Sequence, residues 1–404
     1  MNNCFKKLFH LQGLKVLDSR LEGKKMIVSC EPKRKEAYCP SCAKKIKTVH
    51  KYLKPRRIKH MFWQGNLIEL DLKRRSFFCW YCKKKGLPWL AIENIPIIPK
   101  SKRYSLVYAD QIMKGLGQTT FKTQQEIAET SFSTVQKLLS DRIDPFIGVW
   151  PKDTSIRSIG IDLHSFSGQT MLPTVCNLTD HRLITILPDN KQMTMREFLH
   201  NIPSNIKAKI EEVCIDMDCH YLKTIKEELP KARIVIDFFH VVSDANHRIS
   251  ETRTVIQKVN KVSLPKKLFE KNREHLSPNE WVELNNIFKA YPELGKLWRV
   301  KEQIRSIHKN PSTKLATILY GKLLKEMQLS TYPSVKQWAK TLNRWQNGIL
   351  QYFEYHTTNG YTEGVNTKLK TIKRLSYGFR NIDNYIRKAL LAFIPISLLL
   401  YHYI

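Results

Sequence analysis

Acid is scarce in this chain. Its 404 residues include 36 Asp and Glu against 68 Lys and Arg, a formal net charge of +32. The shortage is sharpest in residues 1–110, which hold 26 basic and 8 acidic side chains. A folded chain this basic points to a polyanionic partner, because Lys and Arg contacts to phosphates release condensed counterions. The plainer alternative is a solvated basic surface. A long apolar run is missing too. The longest, residues 389–401, is interrupted by Pro395 and falls short of the roughly 20 residues that span a bilayer. It is expected to be a terminal helix packed on the core or on a second subunit, with no membrane partner. The start, Met-Asn-Asn-Cys-Phe-Lys-Lys, has no signal-peptide h-region. A cytoplasmic protein is therefore expected. Hydrophobic content of 42% excludes wholesale disorder, and the length allows two or three domains.

Cysteine is present, but not as a disulfide framework. Four of the nine form two C-x-x-C pairs, Cys39-Pro-Ser-Cys42 and Cys79-Trp-Tyr-Cys82. Thiolates two residues apart on a tight knuckle can both reach one tetrahedral Zn²⁺, and two knuckles complete an S₄ site. One structural zinc ion is expected in a module spanning residues 1–100, with strand-like segments at 66–72 and 76–78. Cys4, Cys30, Cys176, Cys214 and Cys219 show no pairing pattern and are taken as small core residues. The first knuckle is followed by a basic run that includes Lys44, Lys51, Arg56, Arg57 and Lys59, the second by Lys83, Lys84 and Lys85. Arg56 and Arg57 are expected to contact DNA.

Residues 101–150 suggest a helix-turn-helix. Helical stretches within 105–143 meet near Ala128, and Ser133 is expected to cap the second. That would put Thr134, Gln136 and Lys137 at the groove-facing start of a recognition helix. Any three-helix bundle can look similar.

From residue 155 the texture changes to short apolar runs. Strands are expected at 156–162, 170–178, 183–187, 212–216 and 233–237, with helices at 195–201 and 221–229. The order β-β-β-α-β-α-β resembles a ribonuclease H-like fold, in which the first and fourth strands are neighbours. Asp162 and Asp216 end those two strands. Residues 246–355 are helical, a charged insertion holding four tryptophans. Then comes His-Thr-Thr-Asn-Gly-Tyr-Thr-Glu363-Gly-Val-Asn, where Asn-Gly marks a turn and delivers Glu363 to a helix start. Three carboxylates from remote segments suit two Mg²⁺ ions for phosphoryl chemistry. Asp237 competes with Asp216 for the second position. Asp216 is preferred because the fifth strand lies outside the fourth, leaving Asp237 with His240 as a supporting pair. Lys368, Lys370, Lys373 and Arg374 follow Glu363 and are expected to hold a DNA backbone.

These motifs resemble the DDE transposases of bacterial insertion sequences, specifically the ISL-three family. The resemblance runs through the paired C-x-x-C module, Ile-Gly-Ile-Asp162, Asp237-Phe-Phe-His240-Val-Val, and Thr-Asn-Gly-Tyr-Thr-Glu363-Gly-Val-Asn366. It implies an α/β catalytic core, a ribonuclease H-like mixed sheet, spread over 151–245 and 356–404. An all-helical insertion at 246–355 interrupts it, and the zinc-binding module at 1–100 and helix-turn-helix at 101–150 precede it. It also implies double-stranded DNA as partner (terminal inverted repeats and target), strand cleavage and transfer with Mg²⁺, a homodimer or higher synaptic assembly, and a bacterial nucleoid location. Asp162, Asp216 and Glu363 take the catalytic roles. The chain departs from the pattern at Leu163, where an acid is common, and at residues 217–220. The alternatives are a catalytically inactive DNA-binding regulator derived from such an enzyme, and a structure-selective nuclease.

Overall fold

The computed structural model describes residues 9–400 apart from 12, 100, 151–154 and 218–219. Contacts divide the chain into two compact units, Met1–Phe146 with Lys373–Ile404, and Ile147–Ile372.

In the first unit, β1 (Leu14–Glu22), β2 (Lys25–Pro32), β5 (Val49–Trp63), β6 (Asn66–Phe78) and β7 (Leu90–Ile92) share one sheet. Its order is β1-β2-β6-β5, with β7 also paired to β6, while β3 (Ala37–Tyr38) and β4 (Lys45–Ile46) form a separate hairpin. The turn between β5 and β6 places Gln64 and Gly65 both at positive φ, 46° and 78°, as a two-residue hairpin with the sheet's own twist requires. One face carries Val28, Cys30, Ile58, Ile68, Leu70 and Leu72 into a core that Val107 helps close. A short helix, α1 (Trp80–Lys84), follows the second cysteine knuckle.

Three more helices continue this unit: α2 (Leu106–Leu116), α3 (Phe121–Ile127) and α4 (Phe132–Ile143). Ser105, Thr120 and Ser131 cap them, each side-chain oxygen accepting the backbone N–H three residues on. The expected cap at Ser133 is therefore corrected to Ser131. Glu129 ends α3 by turning left-handed (φ 43°), which leaves Ser131 as the extended residue before the next helix. Starting there puts Val135, Leu138, Leu139 and Ile143 on one buried side.

The second unit opens with β8 (Ser158–Ser167), β9 (Thr170–Asn177), β10 (Arg182–Ile186), α5 (Gln192–His200) and α6 (Ser204–Lys207). It continues through β11 (Glu212–Ile215), α7 (Leu222–Glu228) and β12 (Arg233–Ile236). The sheet order is β10-β9-β8-β11-β12. The β8–β9–β10 pairs are antiparallel, and β11 runs parallel to β8 and β12. Its central strands are covered on both faces, so they are short apolar runs rather than alternating ones.

A long helical segment follows: α8 (Phe238–Asn260), α9 (Lys266–Glu270), α10 (Pro278–Ala290), α11 (Pro292–His308), α12 (Thr313–Gln328), α13 (Pro333–Arg344) and α14 (Gln346–Tyr355). Trp298, Trp338 and Trp345 are buried within it, and Trp281 packs against them from a half-buried position. The segment returns to the sheet where Gly348 meets β12. A Cβ there would lie 2.7 Å from Ile236 Cγ1.

Next comes α15 (Gly360–Leu375), then α16 (Ile382–Leu391) and α17 (Ile396–Leu399). The stretch 356–404, expected as one set of core helices, is divided. Residues up to Ile372 belong to the second unit and those from Lys373 to the first. The physical reason lies in α16, where Arg387 pairs with Asp144 at 2.6 Å and Lys388 donates to the Thr119 carbonyl. Pro395 separates α16 from α17, and Arg142 donates to the Leu399 carbonyl. No helix among the described residues is long and apolar enough to cross a membrane.

Candidate active site and metal centres

Four chain segments deliver the acidic site. Asp162 lies within β8, not at its end, because the antiparallel pairing with β9 continues through Ser167. Asp216 directly follows β11, and Asp237 directly follows β12 and precedes α8. Glu363 sits in the first turn of α15. Gly160 allows that helix to approach, since a Cβ there would stand 2.2 Å from Asn359 Oδ1 and 2.5 Å from Thr362 Oγ1. The Ile-Gly-Ile-Asp run thus serves as a docking groove for the helix that bears Glu363.

His240, in the first turn of α8, is the hub. Its Nδ1 is 3.3 Å from Asp216 Oδ2, and its Nε2 is 4.0 Å from Asp237 Oδ2 and 3.9 Å from Glu363 Oε1. Asp237 Oδ2, His240 Nε2 and Glu363 Oε1 are all buried without a hydrogen-bond partner. Ligand atoms of these three residues lie within 4.8 Å of one another, a group that could hold a metal ion. Burial first, then the Asp237 carboxylate, push the Glu363 carboxyl up to about 7. A bound cation would reverse that shift by supplying the missing positive charge.

Asp162 and Asp216 line a small shared cavity of about 40 Å³ with Tyr221. Asp162 Oδ2 accepts from Asn366 Nδ2 at 2.8 Å, and Asn366 Oδ1 accepts from Thr174 Oγ1 at 2.6 Å. Thr174 in turn meets His164 Nδ1 at 2.8 Å. The Asp162 carboxylate is held in place by a chain running from α15 to β9. Sequence reasoning gave Asn366 no such part, although its position three residues after Glu363 puts both on one helix face. Asp216 and Asp237 differ in access, their side chains being 43% and 4% exposed.

In the first unit the two knuckles converge. The first is the tight loop between β3 and β4, where Ala43 turns left-handed (φ 53°), and the second opens α1. Cys39 Sγ lies 3.6 Å from Cys82 Sγ, and Cys42 Sγ lies 3.9 Å from Cys79 Sγ. A tetrahedral ion with metal–sulfur bonds of about 2.3 Å spaces its ligands about 3.8 Å apart. The four thiols therefore match the spacing of a metal centre. Burial alone would raise the Cys39 thiol, but the backbone N–H groups of Cys42 and Ser41 and the neighbouring Cys82 and Cys42 thiols together bring it down to about 6. Burial and the surrounding thiols push Cys82 up to about 12. The thiolate is the form a metal binds. Cys30, Cys176 and Cys214 are buried, while Cys4 and Cys219 lie outside the described residues.

The expected DNA contacts separate into engaged and presented groups. Arg57 is paired with Glu22 at 3.3 Å and Glu69 at 3.5 Å, and Arg56 donates to the Ser101 carbonyl at 3.0 Å. Thr134 is half-buried and shares its hydroxyl with the Ser131 cap at 2.9 Å. Gln136 borders an open cleft with Lys122, Gln125 and Arg380, and Lys137 is exposed. Along α15, Lys368, Lys370 and Arg374 face solvent, and Lys373 is half-buried.

The profile of the ISL-three group of DDE transposases, described as transposase, matches residues 159–389. The chain belongs to this transposase family. The matched span runs from the strand carrying Asp162 to the helix after Glu363, so it contains every acidic residue of the site. Across nearly its whole length the transposase is similar to a transposase for insertion sequence element IS1001 from Bordetella parapertussis. The two are 22% identical over 92% of each chain. It is also similar to a transposase for insertion sequence element IS1557 from Mycobacterium tuberculosis, 23% identical over 62% of this chain and 61% of that one.

Proposed function

We propose that this transposase binds the terminal inverted repeats of an insertion sequence and performs Mg²⁺-dependent strand cleavage and strand transfer. The observation that carries the reading is the convergence of three acidic side chains from remote segments, Asp216, Asp237 and Glu363, on one half-buried imidazole, with three polar atoms left unpartnered. The sheet order, with β8 and β11 as neighbours, supports a ribonuclease H-like core at 151–245 completed by α15 and interrupted by the helices of 246–355. Asp162, Asp216 and Glu363 are the metal-holding set, because a substrate phosphate must reach the same ions and these three side chains are at least partly exposed, Asp216 at 43% and Glu363 at 31%, while Asp237 is 4% exposed. Asp237 and His240 support them from beneath. Imidazole is a poor partner for a hard ion, so His240 serves Asp216 and Glu363 by orientation. Bound divalent ions would activate the attacking water or 3′-hydroxyl and stabilise the leaving oxygen. Asn366 would hold the Asp162 carboxylate in place beside such an ion.

The four cysteines are the ligands of one structural Zn²⁺, and α3 and α4 are the helix-turn-helix, with Lys137 presented to DNA. The basic side chains of α15 hold the backbone beside the acidic site. Two element ends must be joined in one reaction, which implies at least a dimer during synapsis. The test is cleavage of a labelled element-end duplex with and without Mg²⁺. Asp162→Ala, Asp216→Ala and Glu363→Ala each lower the cleavage rate by about 10³-fold or more while leaving duplex affinity within about threefold. Wild-type binding without cleavage at any Mg²⁺ concentration contradicts the reading.

A further inference from the structure

A basic cleft lies in the first unit beside the first cysteine knuckle, bordered by Tyr38 and Pro40 on either side of Cys39. A cavity of about 470 Å³ opens between β5, β6, β7, the Tyr38–Pro40 turn and residues 94–99. Arg56 and Arg74 reach into it from adjacent strands, with Arg56 opposite Leu72 and Arg74 opposite Leu53. Arg56 donates to the Ser101 carbonyl at 3.0 Å, but among the described residues it has no carboxylate partner. Its and Arg74's neighbours in sequence, by contrast, are ion-paired: Arg57 with Glu22 and Glu69, and Arg75 with Glu93 at 2.9 Å. Glu93 also borders the cavity, but Arg75 takes both its oxygens through the guanidinium and the backbone N–H. Among the described residues no carboxylate is in ion-pair contact with Arg56, Arg74 or Arg103. Arg74 Nε is buried without a hydrogen-bond partner. Burial, then the charges of Arg74 and Arg103, hold the Arg56 guanidinium below its usual range.

Like charges on neighbouring strands destabilise a sheet, and these are kept together with no internal counter-charge. Beside them Tyr38, Leu90 and Ile92 are exposed, a non-polar wall next to a cationic floor. A phosphate flanked by a sugar and a base meets both surfaces at once. We propose that this cleft is a DNA phosphate subsite, in which Arg56 and Arg74 grip one backbone phosphate while Tyr38, Leu90 and Ile92 cover the adjoining nucleoside. The inference rests on the reading that the protein binds DNA and adds where the first unit takes hold of the strand.

The test compares the full chain with R56Q/R74Q and the charge-preserving R56K/R74K, after zinc content and circular dichroism show that all three are folded. Anisotropy titrations use an element-end duplex over a range of salt. The Gln variant binds about tenfold more weakly, and its log–log salt slope is shallower by about 1 to 2, while the Lys variant keeps most of the slope. Inorganic phosphate, compared with chloride at equal ionic strength, raises the melting temperature of the wild type and not of R56Q/R74Q. Equal affinity and equal slope for wild type and R56Q/R74Q overturn the inference and leave DNA binding standing. If the wild type itself binds no duplex, the DNA-binding reading falls and takes this one with it. Loss of phosphate stabilisation with unchanged DNA binding marks a free-phosphate site and likewise overturns the DNA assignment.

Discussion

Burial and the Asp237 carboxylate both oppose the charge of Glu363 and raise its carboxyl to about 7. That is the electrostatic signature expected of a side chain waiting for a positive partner. A different buried residue makes stability fall in acid. His60 is fully enclosed, with Nδ1 3.0 Å from Ser105 Oγ and Nε2 2.8 Å from the Phe9 carbonyl. Burial lowers its pKa to about 4 from an ordinary value of 6.5. Above pH 6.5 the ring is neutral folded or unfolded, and its contribution is intact. As pH falls from 6.5 to 4 the unfolded chain binds a proton that the folded chain refuses, so stability drops by up to about 3 kcal/mol. Denaturant unfolding at pH 7 and pH 5 checks this. Wild type loses about 2 kcal/mol more than His60→Gln over that interval; equal losses remove His60 as the cause.

Helix α15 depends on a glycine that is distant from it in sequence. Gly160→Ala would drive a methyl group into Asn359 and Thr362, displacing the first turn of α15 and Glu363 with it. The expected cost is about 1–3 kcal/mol in stability. Cleavage should fall by a larger factor than stability explains, because a displacement of about 1 Å is enough to misplace a catalytic group. A folded G160A protein with wild-type cleavage rates would show that the close approach is not needed. The cysteine knuckles make a parallel prediction. The chain should hold one zinc per protein, and Cys39→Ser or Cys82→Ser should abolish it. Chelation should then unfold the first unit while the second still melts cooperatively, as calorimetry would show. Retention of both transitions after complete metal removal contradicts a structural role.

The same elements show what can be read from sequence. The strands expected at 212–216 and 233–237 match β11 and β12 to within one residue, because strands covered on both faces carry their burial in their composition. The β5 strand was hidden. Its outer face is a row of Lys and Arg, so a 15-residue strand looked like a charge cluster. Ser131 and Ser133 are equally good cap formers, and only the left-handed Glu129 decides between them.

At the scale of the whole molecule, the acidic residues were legible because each stands beside an apolar run or a turn. Their grouping was not, since no sequence spacing tells that His240 lies among Asp216, Asp237 and Glu363. The return of residues 373–404 to the first unit was also out of reach, because it rests on Arg387–Asp144 and Lys388–Thr119 contacts across a separation of more than 240 residues. The +32 charge and the acidic site are complementary features of one design. On the proposed reading, a cationic surface gathers DNA, and Asp162, Asp216 and Glu363 would hold the metal that cuts it. The most direct measurement is anomalous scattering from Mn²⁺ soaked into crystals of the full chain. Ion density bonded to the carboxylates of Asp162, Asp216 and Glu363 is the expected result. Density held by Asp237 and Glu363 without Asp216, or none at these carboxylates, would contradict it.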